Sequence, residues 1–123
     1  MTGVQTCALP ISITRACPDH LVGTAGTVTT LAALDLGLVR YDADRVQRHR
    51  LDRAAVARQW DRLAALTVTE RARVACLEPG RADLIIPGIA IVEATMQRLG
   101  MKTMLVSDWG LREGILDEMS AAI

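Results

Sequence analysis

The sequence predicts an α/β domain, rich in helix, with parallel strands covered by helices. Three observations carry that expectation. Two short strand-like runs, one ending at Val22 and one spanning Thr103 to Val106, each lead into a segment of helical period, and such alternation places parallel strands beneath helices. Between them lies a long helical stripe of Ile85, Ile89, Val92, Met96 and Leu99. The chain has no Phe, two Trp and one Tyr, so its core must be built from Leu, Ile, Val, Ala and Met, which suits helices packed closely on a small sheet.

The elements follow in order. His20 to Val22 ends a short buried strand, stopped by Gly23, and Thr27 to Leu36 is helical, with Val28, Leu31 and Ala32 in phase and Gly37 as the stop. Val39 to Arg50 has no apolar period and reads as a surface loop, its basic run Arg45, Arg48, His49, Arg50 being a solvated face. Asp52 caps a second helix, with Leu51 and Val56 as a hydrophobic staple and Trp60 and Leu63 turned inward. Thr67 and Glu70 form a capping box that opens a third helix through about Cys76, ended by Pro79 and Gly80. The stripe predicts a helix from Ala82 to Leu99, either kinked near Pro87 or preceded by a short turn, with Gly100 beyond its end. After the Thr103–Val106 strand, Ser107 and Asp108 offer caps for a last helix, Trp109 to Met119, buried through Leu111, Ile115 and Met119.

Length and composition narrow the function classes. The 123 residues suffice for one modest domain, and the formal charge of zero argues against a nucleic-acid module, whose usual signature is a strongly basic face. The longest apolar run, Leu84 to Val92, is interrupted by Pro87 and Gly88 and falls well short of the roughly 20 residues that a membrane span needs. Cys7, Cys17 and Cys76 show no metal-ligand spacing with each other or with the two histidines, so a reduced, cytoplasmic protein without a metal site of its own is expected. Residues 1–12, MTGVQTCALPIS, resemble the in-frame translation of a common sequencing adapter; they are expected to be non-native, followed by a linker at 13–19.

The chemical candidate is HLVGTAGTVTTLAAL, His20 to Leu34, whose glycines and threonines fall at a strand-to-helix turn. A helix amino terminus exposes unpaired N–H groups and a positive dipole end, and glycines let an anion approach the backbone, so Gly23, Thr24, Ala25, Gly26 and Thr27 are candidate phosphate ligands. Hydroxyls of Thr24, Thr27 and Thr29 can add donors, and Gly26 is expected to supply a positive φ. The plainer reading is a tight connection with a threonine cap. Neither a phosphate-binding Gly-Lys-Ser/Thr loop nor a third dinucleotide-type glycine follows. SDWGLREG, Ser107 to Gly114, is the second candidate, because ligand clefts open at the carboxyl ends of strands. There Asp108 either caps the helix or holds a metal-bound water, and Arg112 either meets an anion or pairs with a carboxylate. EPGRAD, Glu78 to Asp83, reads as a structural turn pairing Arg81 with Asp83.

HLVGTAGTVTTLAAL, YDADRV, LEPGRADLIIPGIAIVEATMQRLG and LVSDWGLREGIL together resemble, in order and spacing, the exopolyphosphatase and guanosine pentaphosphate phosphohydrolase family. The resemblance spans residues 20–119, with 120–123 as a tail. It implies the actin-like ATPase fold, in which two ribonuclease-H-like halves enclose a cleft, and this chain is similar to the latter part of the second half. It further implies hydrolysis of the terminal phosphoanhydride of polyphosphate or guanosine pentaphosphate with magnesium, in a parent able to form a homodimer, with no nucleic acid polymer and no membrane as partner. Gly23 to Thr27 would line the cleft, with Asp108 and Arg112 at its edge. The family's aspartate-containing phosphate loops and its glutamate base have no match here: both Asp-x-Gly triplets, at Asp35 and Asp108, are followed by leucine. The chain is therefore expected to carry no catalytic residue and to be inert alone. The alternative is a noncatalytic phosphate- or nucleotide-binding module.

Overall fold

A computed structural model describes residues 18–122. Residues 1–12 and most of the 13–19 linker lie outside the described residues. In chain order the elements are β1 (Val22–Thr24), α1 (Gly26–Asp35), α2 (Ala43–Val46), β2 (Arg50–Asp52), α3 (Arg53–Ala64), α4 (Val68–Arg71), a 3-10 turn (Pro79–Arg81), α5 (Ile85–Arg98), β3 (Thr103–Ser107) and α6 (Leu111–Ala121). The α/β, helix-rich expectation holds, with one difference in the sheet. Its strand order is β1-β3-β2; β1 pairs parallel to β3, as expected, but β2 pairs antiparallel to it. The stretch expected to be a surface loop thus contains α2 and runs into a strand, secured beyond β2 by Arg48 N–H donating to the Val106 carbonyl at 2.9 Å and Val106 N–H to that of His49 at 2.8 Å.

One face of the sheet is buried, through Gly23, Leu51, Met104 and Val106, while Val22, Leu105 and Arg50 share the exposed face in register. Against the buried face lies α1, which touches all three strands and is backed by α3 and α5. Its residues Val28 to Leu34 are all buried, as a helix without a polar face requires. The inward residues of its neighbours, Val56 and Leu63 on α3 and Ile85, Ile89 and Met96 on α5, complete the core, and Trp60 packs against it from a half-buried position.

Helix ends follow the sequence in part. Gly37 and Gly100, at φ 63° and 66°, follow the last turns of α1 and α5 as expected. The Thr67–Glu70 capping box forms, but α4 stops at Arg71; the Arg71 side chain then donates to the carbonyls of Leu63 and Ala82, tying the turns to the end of α3 and to the segment before α5. Asp52 stands at the amino end of α3 without a side-chain cap bond. Because α5 begins at Ile85, Pro87 falls in its first turn, where a missing N–H costs nothing, and the turn leading into it is the Pro79–Arg81 segment.

Two expectations of burial are overturned. The basic run is not wholly solvated: His49 is half-buried, with Nε2 2.8 Å from Asp35 Oδ2, and Arg58 lies 3.7 Å from the other oxygen. The last helix is capped by Gly110 and Glu113, not by Ser107 or Asp108. Its apolar stripe is not buried either, since Leu111, Ile115 and Met119 are 82%, 47% and 61% exposed. The period is present in the sequence, but none of the described elements packs over that face.

Candidate functional site

The junction between β1 and α1 is an uncapped helix start. Ala25 occupies the cap position with no side-chain hydrogen bond, and its carbonyl accepts the N–H of Thr29 at 3.1 Å, so the amides of Gly26, Thr27 and Val28 precede the first intrahelical bond. The positive φ expected of Gly26 falls on Ala25 instead, at φ 71° and ψ 177°, a region almost reserved for glycine. Gly26 is the first helical residue, and what it needs is space. A Cβ built on it would stand 1.8 Å from Nη1 of Arg81, so the guanidinium lies directly over the turn. Gly23 serves packing, since its Cβ would meet Met104 Sδ at 2.3 Å and Val28 at 2.9 Å.

Two of the expected hydroxyl donors are already engaged. Thr24 donates to the Trp109 carbonyl at 2.9 Å, joining the ends of β1 and β3, and Thr29 donates to the Ala25 carbonyl at 3.2 Å. Thr27 packs beneath α5, where a Cβ on Gly88 would lie 2.6 Å from its Oγ1. The charged donors left for a ligand are therefore Arg81 and Arg112, beside the amides of the helix start.

Arg81 is the residue that sequence reasoning missed. Its expected pair with Asp83 does not form; its Nε meets Glu78 Oε2 at 2.9 Å instead, which leaves Nη1 over Gly26. No local pattern signals this, because the contact joins the segment before α5 to the start of α1. Three adjoining cavities, of about 570, 430 and 270 Å³, share Arg81 in their walls. The largest contains Thr24, Ala25 and Gly26 together with Asp108 and Arg112, so the two sequence candidates meet in one groove. A separate cavity of about 350 Å³, between Asp19–Val22 and Gly100–Thr103, touches neither the turn nor Arg81.

The acids of the groove are engaged within the chain. Asp108 accepts a hydrogen bond from the Tyr41 hydroxyl, and its own N–H donates to Gln47 Oε1 at 2.6 Å. Partial desolvation of a side chain that is otherwise exposed, and secondarily the Asp108 carboxylate, push the Tyr41 phenol up to about 12. Glu113 accepts the Gly110 N–H at 2.7 Å, and that backbone bond holds its carboxyl below the ordinary glutamate value. Among the described residues no group of three His, Cys, Asp or Glu side chains is placed to hold a metal ion. Asp108 and Glu113 each hold one carboxylate oxygen in a hydrogen bond within the chain.

Such a groove, with a bare helix start and a guanidinium over it, has the donors that an anion such as phosphate requires. The model of the Ppx/GppA phosphatase family matches residues 9–122. Exopolyphosphatase 2 of Mycobacterium tuberculosis is 37% identical over 98 residues, 76% of this chain and 31% of that protein. Exopolyphosphatase 1 of Mycobacterium leprae is 28% identical over 99 residues, 80% of this chain and 29% of that protein. A crystal structure of the Aquifex aeolicus member of the Ppx/GppA family superposes with a TM-score of 0.83 at 32% identity, covering 93% of this chain and 38% of that one. An exopolyphosphatase structure from Cytophaga hutchinsonii gives 0.82 at 25% identity, covering 94% and 38%. The chain spans about a third of the length of the curated relatives it matches. By sequence and by fold alike, it belongs to the Ppx/GppA phosphatase family.

Proposed function

We propose that this chain is the phosphate-receiving part of a phosphoanhydride hydrolase acting on the terminal anhydride of inorganic polyphosphate or of guanosine pentaphosphate. One observation carries the reading: the uncapped start of α1 and the Arg81 guanidinium face the same groove. The amides of Gly26 and Thr27 would bind phosphate oxygens along the helix axis, and Arg81 and Arg112, which line the same groove, would neutralise charge on the group being transferred.

Attack on a phosphoanhydride also needs a water held in line by a base. Asp108 and Glu113 are each held by a hydrogen bond from within the chain, and the resemblance puts the family's glutamate base outside this chain. The chain alone is therefore proposed to bind without hydrolysing. Magnesium belongs to the proposal only for the parent enzyme, and no step is assigned to it on this chain. Among the described residues no helix is long and apolar enough to cross a membrane; cytoplasmic localisation and a homodimeric parent remain parts of the proposal.

Calorimetric titration of the purified chain with tripolyphosphate, run beside a phosphate-release assay, tests the reading. Binding without release is expected, with Arg81→Ala at least about tenfold weaker, the worth of one charge-assisted hydrogen bond. Absence of tripolyphosphate binding would overturn the assignment of the groove, and release at the rate of a complete relative would overturn the inertness.

A further inference from the structure

The groove wall sets two acids, Asp108 and Glu113, beside two cations, Arg81 and Arg112. An acid in an anion site does harm in two ways, by repelling the ligand and by capturing the cation meant for it. Here each acid is occupied by a neutral donor of its own chain. Glu113 takes the Gly110 N–H at 2.7 Å, and Asp108 takes the Tyr41 hydroxyl. Arg81 spends only its Nε, on Glu78 outside the groove, and Arg112 makes no ion pair among the described residues. The charges of the site are thus sorted, with carboxylates tied to the protein and guanidinium groups left over.

From this arrangement we propose that Tyr41 is a positioning residue of the anion groove, whose hydroxyl, by donating to Asp108, withholds that carboxylate from Arg81 and Arg112. The inference rests on the phosphate-binding reading above and deepens it. Tyr41 does not work alone: Gln47, six residues on and at the far side of α2, accepts the Asp108 N–H at 2.6 Å, so the Tyr41–Gln47 segment brackets the exit of β3 at both backbone and side chain. The phenol, raised to about 12, keeps its proton and so its ability to donate to Asp108 across the neutral range. A neutral donor suits the place, because it satisfies the carboxylate without adding a cation that competes for the phosphate.

The test is a double-mutant cycle in the full chain, read as tripolyphosphate affinity by calorimetry, with circular dichroism to check the fold. Tyr41→Phe keeps the ring and removes the donor; it is expected to weaken binding about tenfold, because one arginine is lost to Asp108. Asp108→Asn removes the captor and is expected to tighten binding by about twofold, the scale of one exposed charge. The double variant is expected to match Asp108→Asn, since without the carboxylate the hydroxyl has nothing to withhold. A merely structural role for Tyr41 would not be rescued in this way. If Tyr41→Phe alone fails to fold, the comparison of the double variant with Asp108→Asn still decides, because equal affinities are required. Should the wild-type chain bind and Tyr41→Phe match it, or should its loss persist in the double variant, this inference falls while the phosphate reading stands. Failure of the wild-type chain to bind tripolyphosphate overturns both.

Discussion

Two glycines of one short turn make opposite predictions when each gains a methyl group. At Gly26 the added Cβ would lie 1.8 Å from Arg81 Nη1 and 2.7 Å from its Cζ. Those atoms are the far end of a flexible side chain, so the arginine swings away at little cost. The position is the first of helix α1 with no positive φ, and alanine is a better helix former than glycine by up to about 1 kcal/mol. Gly26→Ala should therefore melt at or slightly above the wild-type temperature, yet lose the guanidinium from the groove. A hydrogen bond to a charged group is worth about 1.5–3 kcal/mol, so tripolyphosphate affinity should fall roughly 10- to 150-fold. Gly23→Ala does the reverse. Its Cβ would press on Met104 Sδ at 2.3 Å and on Val28 Cγ1 and Cγ2 at 2.9 and 3.1 Å, inside the core, where overpacking costs about 1–3 kcal/mol. A domain of this size should then melt several degrees lower, up to roughly 20 °C. Thermal melts and calorimetric titrations on the same two preparations separate the effects. A Gly26→Ala chain that keeps full affinity, or one that melts as low as Gly23→Ala, would refute the placement of Arg81 over the turn.

Two further outcomes follow from the same geometry. Ala25 sits at φ 71° and ψ 177°, where strain of about 1–3 kcal/mol is usual. Ala25→Gly should relieve it, less about 0.4–1 kcal/mol for the freer unfolded chain; the melting temperature should rise, and a fall would show that the turn stores no strain. Tyr41 is the only tyrosine of the chain, so ultraviolet absorbance reports its ionisation without overlap from another. Because its folded pKa of about 12 lies above the ordinary 10.0, the stability it contributes is fully present below pH 10 and lost as the pH rises through 12. The titration midpoint in the folded chain should approach 12 and fall part of the way towards 10 in Asp108→Asn, because burial, the larger cause, remains. A midpoint that does not move on Asp108→Asn would contradict the Tyr41–Asp108 bond.

Much of the scaffold was legible because its signals are local. Gly37 and Gly100 stop α1 and α5 by left-handed geometry that a glycine reaches freely. The Thr67–Glu70 box declares itself in four residues, and Ile85, Ile89, Val92 and Met96 mark the buried face of α5. Strand β2 was not legible: Arg-Leu-Asp holds one apolar residue, and it is pairing with β3 that makes it a strand. The α6 stripe has a clear helical phase in the sequence, but the described residues supply no core for it to enter.

The site divides along the same line. The strand-to-helix turn could be found from its composition, and its amides followed from the start of a helix. Arg81 over Gly26 and Tyr41 on Asp108 are contacts between distant segments, and no spacing rule announces them. Nor does an alanine advertise a glycine-like φ; at Ala25 the surrounding structure imposes it. The hydroxyls of Thr24 and Thr29 looked like ligand donors in the sequence, yet the nearest acceptors are carbonyls of the chain itself.

Amide chemical shifts of the isotopically labelled chain, followed while tripolyphosphate is added, bear most directly on the groove. The largest displacements should fall on Gly26, Thr27 and Val28 and on the Arg81 side-chain N–H, with the basic Arg45–Arg50 run nearly unmoved. Shifts concentrated on that basic run, with Gly26 and Thr27 unchanged at saturation, would mean that the bare helix start is not where this protein holds phosphate.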